Sequence, residues 1–276
     1  MNLDGCISFY LAEGKIRGHF CKINCSIKNA LENHQYPKKI QQMLAEMVVI
    51  SQCFIANLKN DCRGTLQING TKQIKTAVVD TYSSGTFRCC ATFDDDNLEV
   101  FSGLEGRDFY ELIGKDAKFV FTVEFDKQRY QTIIPFEHST LEKCFQYYFD
   151  QSEQIPTKIL CQSNVTGDDI QAAALVLQRL PMDTAEFDDP SEIWDSVKLF
   201  LETIKTDEML LTKKSMIEFV KLIFNEFNPI VSRETSINFE CSCSKEKFLQ
   251  TMNAMQIAEN GLTISCHFCG KEYCIE

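Results

Sequence analysis

Glu240-Cys241-Ser242-Cys243 and Cys266-His267-Phe268-Cys269-Gly270 are the two stretches that decide how the C-terminal part of this chain folds. They contain a C-x-C pair and a C-x-x-C pair, separated by the 22 residues from Ser244 to Ser265. Each pair can present two sulfurs to one point, and four thiolates around one point form the tetrahedral site that suits Zn²⁺. Gly270 permits a sharp turn in which backbone N–H groups face the sulfurs. The sequence therefore predicts a zinc site formed by Cys241, Cys243, Cys266 and Cys269.

The chain has 14 cysteines, so a disulfide framework is the alternative interpretation. However, residues 1–5 show neither the basic nor the apolar region of a secretory signal. We therefore expect a cytoplasmic protein with reduced thiols, in which paired cysteines bind metal or are redox-active. The ten cysteines outside the two pairs, such as Cys53 and Cys144, are interpreted as small buried hydrophobic residues.

Composition and charge restrict the class of protein. The 276 residues are 44% hydrophobic and 24% charged, which is typical of a globular protein with one large or two smaller domains. No apolar run approaches the ~18 residues that span a bilayer, so no membrane segment is expected. The net charge of −11 argues against nucleic-acid binding, which depends on clustered Lys and Arg.

The first 182 residues predict a mixed α/β core domain, and the chain as a whole belongs to the α+β class. Period-2 patterns with turn residues indicate strands, the clearest being the hairpin of residues 117–125 and 128–136 around Asp126. A long helix, buried over a wide face, is expected after Pro37. The predicted strands are 7–11, 17–23, 64–68, 74–79, 85–90, 117–125, 128–136 and 156–161. The predicted helices are 26–33, 38–59, 140–149 and 168–179.

Residues 183–232 predict a short helical linker before the C-terminal domain of residues 233–276. The linker has 11 acidic residues and 5 lysines, a net charge of −6. Asp189 with Pro190 predicts a helix start, and Ser215 with Glu218 has the spacing of a capping box. The expected apolar stripes are Ile193, Val197, Phe200, Leu201 and Ile204 in the first helix, and Phe219, Leu222, Ile223 and Phe227 in the second. Two interpretations remain open here: a subdomain of fixed structure, or a metastable segment that needs tertiary support.

The sequence lacks the common motifs of enzymes. It contains no Gly-rich phosphate loop and no G-x-S-x-G elbow. His34 and His138 are expected at the surface, and His267 is interpreted as a residue of the metal knuckle. Asp95 and Asp96 belong to an acidic loop that is more typical of a solvated surface than of a catalytic pair. We therefore do not predict an enzyme.

Several stretches together resemble the redox-regulated holdase chaperones of the thirty-three-kilodalton heat-shock protein family. Residues 239–246 resemble its F-x-C-x-C-S-x-E block, and residues 266–273 resemble its C-x-F-C-x-x-x-Y block. Residues 147–157 match a stretch ending in S-E-Q-x-P-T, and residues 177–181 resemble the Q-x-L-P end of the family's core. The resemblance covers nearly the whole chain, and the joint occurrence is far more specific than the cysteine pairs alone.

This resemblance implies an ATP-independent holdase that binds unfolding proteins under oxidative stress. It implies that oxidation converts the zinc-tetrathiolate centre into the disulfides Cys241–Cys243 and Cys266–Cys269 with loss of zinc, and that activation is accompanied by homodimerisation. The linker would then come free and offer its apolar side chains to unfolded clients. The client-binding candidates are Phe200, Leu201, Phe219 and Leu222.

The chain departs from the family at three points. Ala173 and Ala174 replace a pair of glycines, and Cys274 is an additional thiol. The spacer between the cysteine pairs is also shorter, so a helix is expected to be missing from it.

Two other functions remain alternatives. One alternative is a zinc ribbon that contacts nucleic acid or a transcription partner. The other is a thiol oxidoreductase that uses Cys266 and Cys269.

Overall fold

A long helix after Pro37 lies at the centre of the fold. The structure, a computed structural model, describes residues 4–56, 58, 61–96, 98–102, 109–126, 128–181, 190–210, 214–254 and 262–275. In the central helix, Lys38–Ile55, every residue from Met43 to Ile55 is buried. The buried polar side chains have partners: the Ser51 hydroxyl lies 2.8 Å from that of Thr81. The prediction of a buried helix is confirmed, although the helix ends at Ile55 rather than near residue 59.

The helices and strands are numbered along the chain. The helices are α1 (Cys25–Leu31), α2 (Lys38–Ile55), α3 (Glu99–Ser102), α4 (Tyr110–Ile113), α5 (Leu141–Tyr148), α6 (Pro190–Thr203), α7 (Thr206–Leu210), α8 (Met216–Ile223) and α9 (Lys245–Ala254). The strands are β1 (Gly5–Leu11), β2 (Ile16–Ile23), β3 (Cys62–Asn69), β4 (Ile74–Tyr82), β5 (Thr86–Phe93), β6 (Lys118–Phe125), β7 (Gln128–Pro135), β8 (Thr157–Thr166), β9 (Asp169–Arg179), β10 (Ile230–Ser236), β11 (Asn238–Phe239), β12 (Leu262–Ser265) and β13 (Glu272–Ile275).

Two large sheets contact α2 from different sides. The first sheet is antiparallel, with the strand order β10-β1-β2-β9-β8. The second has the order β11-β5-β4-β3-β6-β7, and only its β11–β5 pair is parallel. The predicted β6–β7 hairpin is confirmed, and Asp126 in its turn adopts the left-handed conformation with φ of 46°. The two sheets and α2 are called the core below.

The first sheet is buried on both faces, and the described residues form a hydrophobic cluster on each side of it. On β9, Ala172, Ala174 and Val176 face α2 and the second sheet. The alternate residues Ala173, Leu175 and Leu177 face α6, α7 and α8 on the opposite side. These three helices are called the helical cover. Apolar surface removed from water contributes roughly 25 cal/mol per Å², so the cover adds to the stability of the sheet it hides.

The prediction of a helix at residues 168–179 is wrong, because this segment is strand β9. It pairs with β2 on one side and β8 on the other, over nearly its full length. A central strand buried on both faces is apolar at every position and shows no alternation, so its pattern cannot be told from that of a buried helix. The small side chains of Ala172 and Ala174 let α2 pack closely on this strand.

Of the two predicted helix starts in the helical cover, the structure shows the capping box of α8. Pro190 is the first residue of α6, whereas Asp189 lies outside the described residues. The side chain of Ser215 accepts a hydrogen bond from the Glu218 N–H, and the Glu218 carboxylate accepts one from the Ser215 N–H. The capping box that begins α8 is therefore confirmed.

The predicted stripe of α6 is confirmed, but that of α8 is wrong at Leu222. Val197, Leu201 and Ile204 are buried, and Trp194 joins them. In α8, Phe219 and Val220 are buried, whereas Leu222 is 61% exposed. At 100° per residue, the buried face of α8 is centred between Phe219, Val220 and Phe224, which leaves Leu222 on the outer side.

The chain leaves the helical cover through strands that join both sheets. β10 pairs with β1 at the edge of the first sheet, and β11 then pairs with β5 at the edge of the second. Ile237, between these two strands, is fully buried. The predicted boundary between residues 232 and 233 falls inside β10, and the limits of the three predicted parts remain a prediction.

Candidate metal centre

The four predicted ligands lie in a small C-terminal lobe. This lobe, residues 240–254 and 262–275, is called the cysteine lobe. Cys241 and Cys243 follow β11 directly, and α9 begins after Ser244, whose hydroxyl accepts a hydrogen bond from the Lys247 N–H at 3.3 Å. The spacer between the cysteine pairs therefore holds a helix, and the expectation that its helix is missing is wrong.

A tight turn between β12 and β13 presents the second pair. The Gly270 N–H donates to the Cys266 carbonyl at 2.8 Å, and the Cys266 N–H donates to the Lys271 carbonyl at 2.9 Å. Gly270 has φ of +67°, in the left-handed region that favours glycine. The predicted role of this glycine in the turn is confirmed.

The four sulfurs form a cluster of the size that a tetrahedral metal site requires. They all lie within 4.8 Å of one another. The Cys241 and Cys266 sulfurs are 3.7 Å apart, and those of Cys243 and Cys269 are 3.4 Å apart. A tetrahedron with Zn–S bonds of about 2.3 Å has S–S edges of about 3.8 Å, so the cluster fits such an ion. All four are free thiols, since a disulfide bond would bring two sulfurs to about 2.0 Å.

Backbone N–H groups point at two of the sulfurs. The N–H of Cys243 hydrogen-bonds to the Cys241 sulfur, and that of Lys271 hydrogen-bonds to the Cys269 sulfur. Such bonds favour the thiolate form that a metal ion requires. The sequence predicts this arrangement from Gly270.

The phenol of Tyr273 is a further partner of the cluster. Its oxygen lies 3.2 Å from the Cys243 sulfur and 3.3 Å from the Cys243 carbonyl oxygen. Burial raises the pKa of Cys243, but hydrogen bonds from Tyr273 and the neighbouring thiols outweigh burial and lower it to about 7. Burial raises the pKa of Cys241 and that of Cys269.

The cysteine lobe rests on the core at the end of α1. The side-chain amide of Asn33 donates to the Cys269 carbonyl at 2.9 Å, and His34 hydrogen-bonds to the backbone of Phe268. A Cβ on Gly270 would come within 2.6 Å of the Asn33 Cβ, so glycine is also required for this approach. Burial lowers the pKa of His34, and the ring stacks on Tyr36. His34 is thus half-buried rather than fully at the surface.

The second contact joins the lobe to strand β5. The Arg88 guanidinium lies 4.1 Å from the centre of the Phe268 ring. Arg88 is held by Asp80, with Nε 2.7 Å from the carboxylate oxygen. The N–H of Glu240 also donates to the Phe87 carbonyl at 2.9 Å, which extends the β11–β5 ladder into the lobe. Sequence reasoning missed Asn33 and Arg88; the only signal is the single charged residue of the strand TFRCCATF.

The client-binding candidates occupy different positions in the helical cover. Leu201 and Phe219 are buried against the first sheet, and the Phe219 ring stacks on that of Phe20 with centroids 5.0 Å apart. Phe200 is half-buried and packs edge-on against Phe227. Leu222 is exposed. Three of the four are thus covered to different degrees in this state.

A buried lysine also joins the cover to the core. The Lys22 ammonium group, on β2, donates a hydrogen bond to the carbonyl of Leu210, the last residue of α7. Burial lowers the pKa of Lys22, and the charge of Asp4 opposes that shift. The Lys22 side chain therefore fastens the cover by a polar contact inside an otherwise apolar interface.

Most of the remaining cysteines are buried, as predicted, but two are not. Cys25 and Cys274 are exposed, so the prediction is wrong for them. The buried ones include Cys6, Cys21 and Cys53, whose thiols hydrogen-bond to one another between the first sheet and α2. Burial raises the pKa of Cys90 to about 12, and the negative charges of Asp80 and Cys266 add to that shift.

A four-thiol lobe docked on an α+β core with a helical cover defines the class of protein: a two-sheet protein with a C-terminal domain whose four clustered cysteines could hold a metal ion. The family model described as Hsp33 protein matches residues 4–276, and the chain therefore belongs to the Hsp33 family.

Relatives and a solved structure agree with this assignment. A 33 kDa chaperonin from Pseudoalteromonas translucida is 30% identical over 269 residues, covering 94% of this chain and 90% of the relative. A 33 kDa chaperonin from Escherichia coli strain K12 is 27% identical over 273 residues, covering 96% and 89%. The crystal structure of a Thermotoga maritima 33 kDa chaperonin superposes with a TM-score of 0.80 at 18% identity, covering 98% of this chain and 94% of that one. The predicted family and α+β fold are confirmed.

Among the residues that the structure describes, no helix combines the length and the hydrophobicity that crossing a bilayer requires.

Proposed function

We propose that this protein is a redox-regulated, ATP-independent chaperone that holds unfolding proteins under oxidative stress. The observation that carries the proposal is the cluster of four free thiols. The cluster follows β10 and β11, which are edge strands of the first and the second sheet. The family, whose relatives are named chaperonins, supports the chaperone role. We propose no enzymatic activity.

Zinc is the cofactor that we propose for the cluster, held by Cys241, Cys243, Cys266 and Cys269. When bound, a zinc ion would keep the four sulfurs as thiolates and contribute folding energy to the lobe. The S4 donor set and the measured sulfur separations support this choice.

The trigger is oxidation of the two thiol pairs. In each pair, two thiols and one molecule of a peroxide oxidant give one disulfide and two molecules of water. We propose the pairs Cys241–Cys243 and Cys266–Cys269, because only one and two residues separate their members in the chain and all four sulfurs lie within 4.8 Å of one another. Two disulfides leave no thiolate to bind a metal ion, so the lobe loses its internal support.

The structure suggests a path from the lobe to the helical cover. Only Glu240 separates β11 from Cys241 in the chain. Strand β10 lies between the end of α8 and β11. β11 pairs with β5 over only Asn238 and Phe239, so a lobe that has lost its fold provides little to keep this pairing. Release of β11 and then β10 would free the end of the cover that carries Phe219.

The cover is the part of the molecule that we propose to open. Its helices are short, and α7 has only 5 residues, so they depend on tertiary contacts. The net charge of −6 over residues 183–232 opposes compact docking. Opening would offer Phe200, Leu201, Phe219 and Leu222 to unfolded clients. We propose that the oxidised form is a homodimer and that the protein acts in the cytoplasm, without nucleic-acid or membrane partners.

One experiment tests the proposal as a whole. Zinc and free thiols are counted before and after mild peroxide treatment, and light scattering follows the aggregation of a heat-denatured client. We expect loss of zinc and of four thiols together with suppression of aggregation. Full client protection by the reduced, zinc-loaded protein would refute the redox control, and no protection by either form would refute the chaperone function.

A further inference from the structure

Tyr273, on β13, directs its phenol at the sulfur of Cys243. The phenol oxygen lies 3.2 Å from the Cys243 sulfur and 3.3 Å from the Cys243 carbonyl oxygen. Both residues are partly exposed, so a small oxidant can reach this sulfur from solvent. The phenol thus contacts one of the sulfurs that the proposed trigger oxidises.

The ring of Tyr273 is held in place without help from its hydroxyl. The Phe248 ring, on α9, packs against it with centroids 5.3 Å apart. The Lys271 ammonium group lies 5.4 Å from the centre of the Tyr273 ring. The backbone of Tyr273 pairs with Ile264 in the β12–β13 ladder. Because none of these contacts uses the phenol oxygen, Tyr273→Phe removes the hydrogen bond and keeps the position of the ring.

The phenol has two acceptors, and the state of Cys243 decides between them. A thiolate carries no proton and accepts a charge-assisted hydrogen bond, so the Tyr273 O–H donates to the sulfur in the reduced form. A disulfide sulfur carries no charge and is a weak acceptor, so the Cys243 carbonyl oxygen is then the better partner. The O–H···S hydrogen bond therefore stabilises the thiolate relative to the disulfide, and it occupies a lone pair of the sulfur.

We propose that Tyr273 is a positioning residue that slows oxidation of the C-x-C pair by hydrogen bonding to the Cys243 thiolate, an inference that rests on the proposed oxidation of the lobe. In the step that it slows, the Cys243 thiolate attacks one oxygen of hydrogen peroxide. A sulfur–oxygen bond forms and the oxygen–oxygen bond breaks, which gives a sulfenic acid on Cys243 and a hydroxide ion. The Cys241 thiol then attacks the Cys243 sulfur, and the disulfide forms with release of water. The hydrogen bond from Tyr273 must weaken before the sulfur–oxygen bond forms.

Timed alkylation of the reduced, zinc-loaded protein with iodoacetamide tests the inference, because it measures the reactivity of each sulfur without a redox step. We expect Cys243 to react about three to ten times faster in Tyr273→Phe than in the unmodified chain, since a hydrogen bond to a charged group is lost. Cys266 is the internal reference, and its rate should stay close to that of the unmodified chain. Peroxide oxidation, followed by the same peptide analysis, should show the same selective increase at Cys243.

Phe248→Leu is the matched control, because it loosens the packing of the same ring and keeps the phenol. Any acceleration in this variant should reach the four lobe thiols alike.

Equal Cys243 rates in Tyr273→Phe and in the unmodified chain would overturn the inference. Loss of zinc from Tyr273→Phe, or acceleration of all four thiols together, would overturn it as well, because the phenol would then support the fold of the lobe rather than one sulfur. Failure of the proposed function has a different signature. If the lobe thiols of the unmodified chain resist peroxide, the proposed trigger is refuted, whereas the alkylation rates still decide whether Tyr273 restrains Cys243.

Discussion

The guanidinium of Arg88 lies 4.1 Å from the centre of the Phe268 ring, so a residue of the core supports the tip of the turn that carries two candidate metal ligands. Arg88 is held in place by Asp80, which is 1% exposed and also pairs with Arg63 at 2.8 Å. The side chain is therefore fixed before the lobe docks on it. The lobe contacts the core through this pair and through Asn33, in addition to the chain connection by β11.

The first prediction is that Arg88→Ala makes the lobe thiols easier to oxidise. A cation–π contact contributes about 1 kcal/mol, which corresponds to a shift of roughly fivefold in the docking equilibrium. We expect the peroxide oxidation rate of the lobe thiols to rise by a similar factor, measured by timed alkylation. Arg129→Ala is the control, because Arg129 is an exposed arginine with only a 3.8 Å contact to Glu124.

Phe268→Leu tests the same contact from the other side and leaves the ion pair of Asp80 unchanged. It should accelerate oxidation like Arg88→Ala. Rates equal to those of the unmodified chain in both variants would show that the ring contact does not restrain the lobe.

The second prediction is one zinc ion per chain in the reduced protein. Cys241→Ser should lower the zinc content and destabilise the lobe, since structural zinc contributes on the order of 10 kcal/mol to small zinc domains. Cys53→Ser, which changes a buried thiol of α2, should leave the zinc content unchanged. Metal analysis with thermal unfolding measures both. A full zinc complement in Cys241→Ser would rule out the assigned ligand set.

The sequence predicts the metal centre better than it predicts the surroundings of that centre. The four ligands belong to two local motifs. The position of Gly270 directly after the second cysteine pair is enough to predict the sharp turn there. The docking residues Asn33 and Arg88 are more than 150 residues away in the sequence from the lobe, and no local pattern indicates which surface a folded lobe contacts. Only the pairing of β11 with β5 in the folded structure shows which part of the core the lobe contacts.

The errors in the fold have a similar physical origin. Strand β9 has an unbroken apolar run, residues 172–177, because the helical cover buries its second face, and that burial depends on a segment far along the chain. Local patterning then permits a helix or a strand equally. Leu222 is a different kind of error. The periodicity of α8 includes Leu222 in the apolar stripe, but the contacts with the sheet are made by Phe219, Val220 and Phe224. The Leu222 side chain therefore remains exposed. The amphipathic helix α8, which begins with the capping box of Ser215 and Glu218, is predicted best at its start.

The third prediction concerns the order of unfolding. We expect the amides of Phe200 and Phe219 to be protected from hydrogen exchange in the reduced protein and to lose protection after oxidation, while α2 stays protected. The reason is the difference in support: α2 is buried between two sheets, whereas the cover has short helices on one face of one sheet. Exchange measured by mass spectrometry on both forms is the test. Unchanged protection of both amides after metal loss would contradict it.

The last prediction is that opening of the helical cover, and not oxidation as such, activates the chaperone. Phe219 is 2% exposed and stacks on Phe20, so Phe219→Ala should weaken docking by about 3–5 kcal/mol, the usual cost of truncating a buried Phe. The reduced, zinc-loaded variant should then suppress client aggregation without peroxide.

Two further variants separate opening of the cover from loss of a client contact. Leu222→Ala, on the exposed side of the same helix, should leave the cover closed and the reduced protein inactive. Val197→Gly removes a fully buried side chain from α6 and adds about 1 kcal/mol of helix destabilisation, but it keeps the rings of Phe200 and Phe219. It should therefore open the cover and activate the reduced protein even if those rings bind clients. A Val197→Gly protein that exchanges as an open cover, retains zinc and still fails to protect the client would show that another event, downstream of metal loss, creates the binding surface.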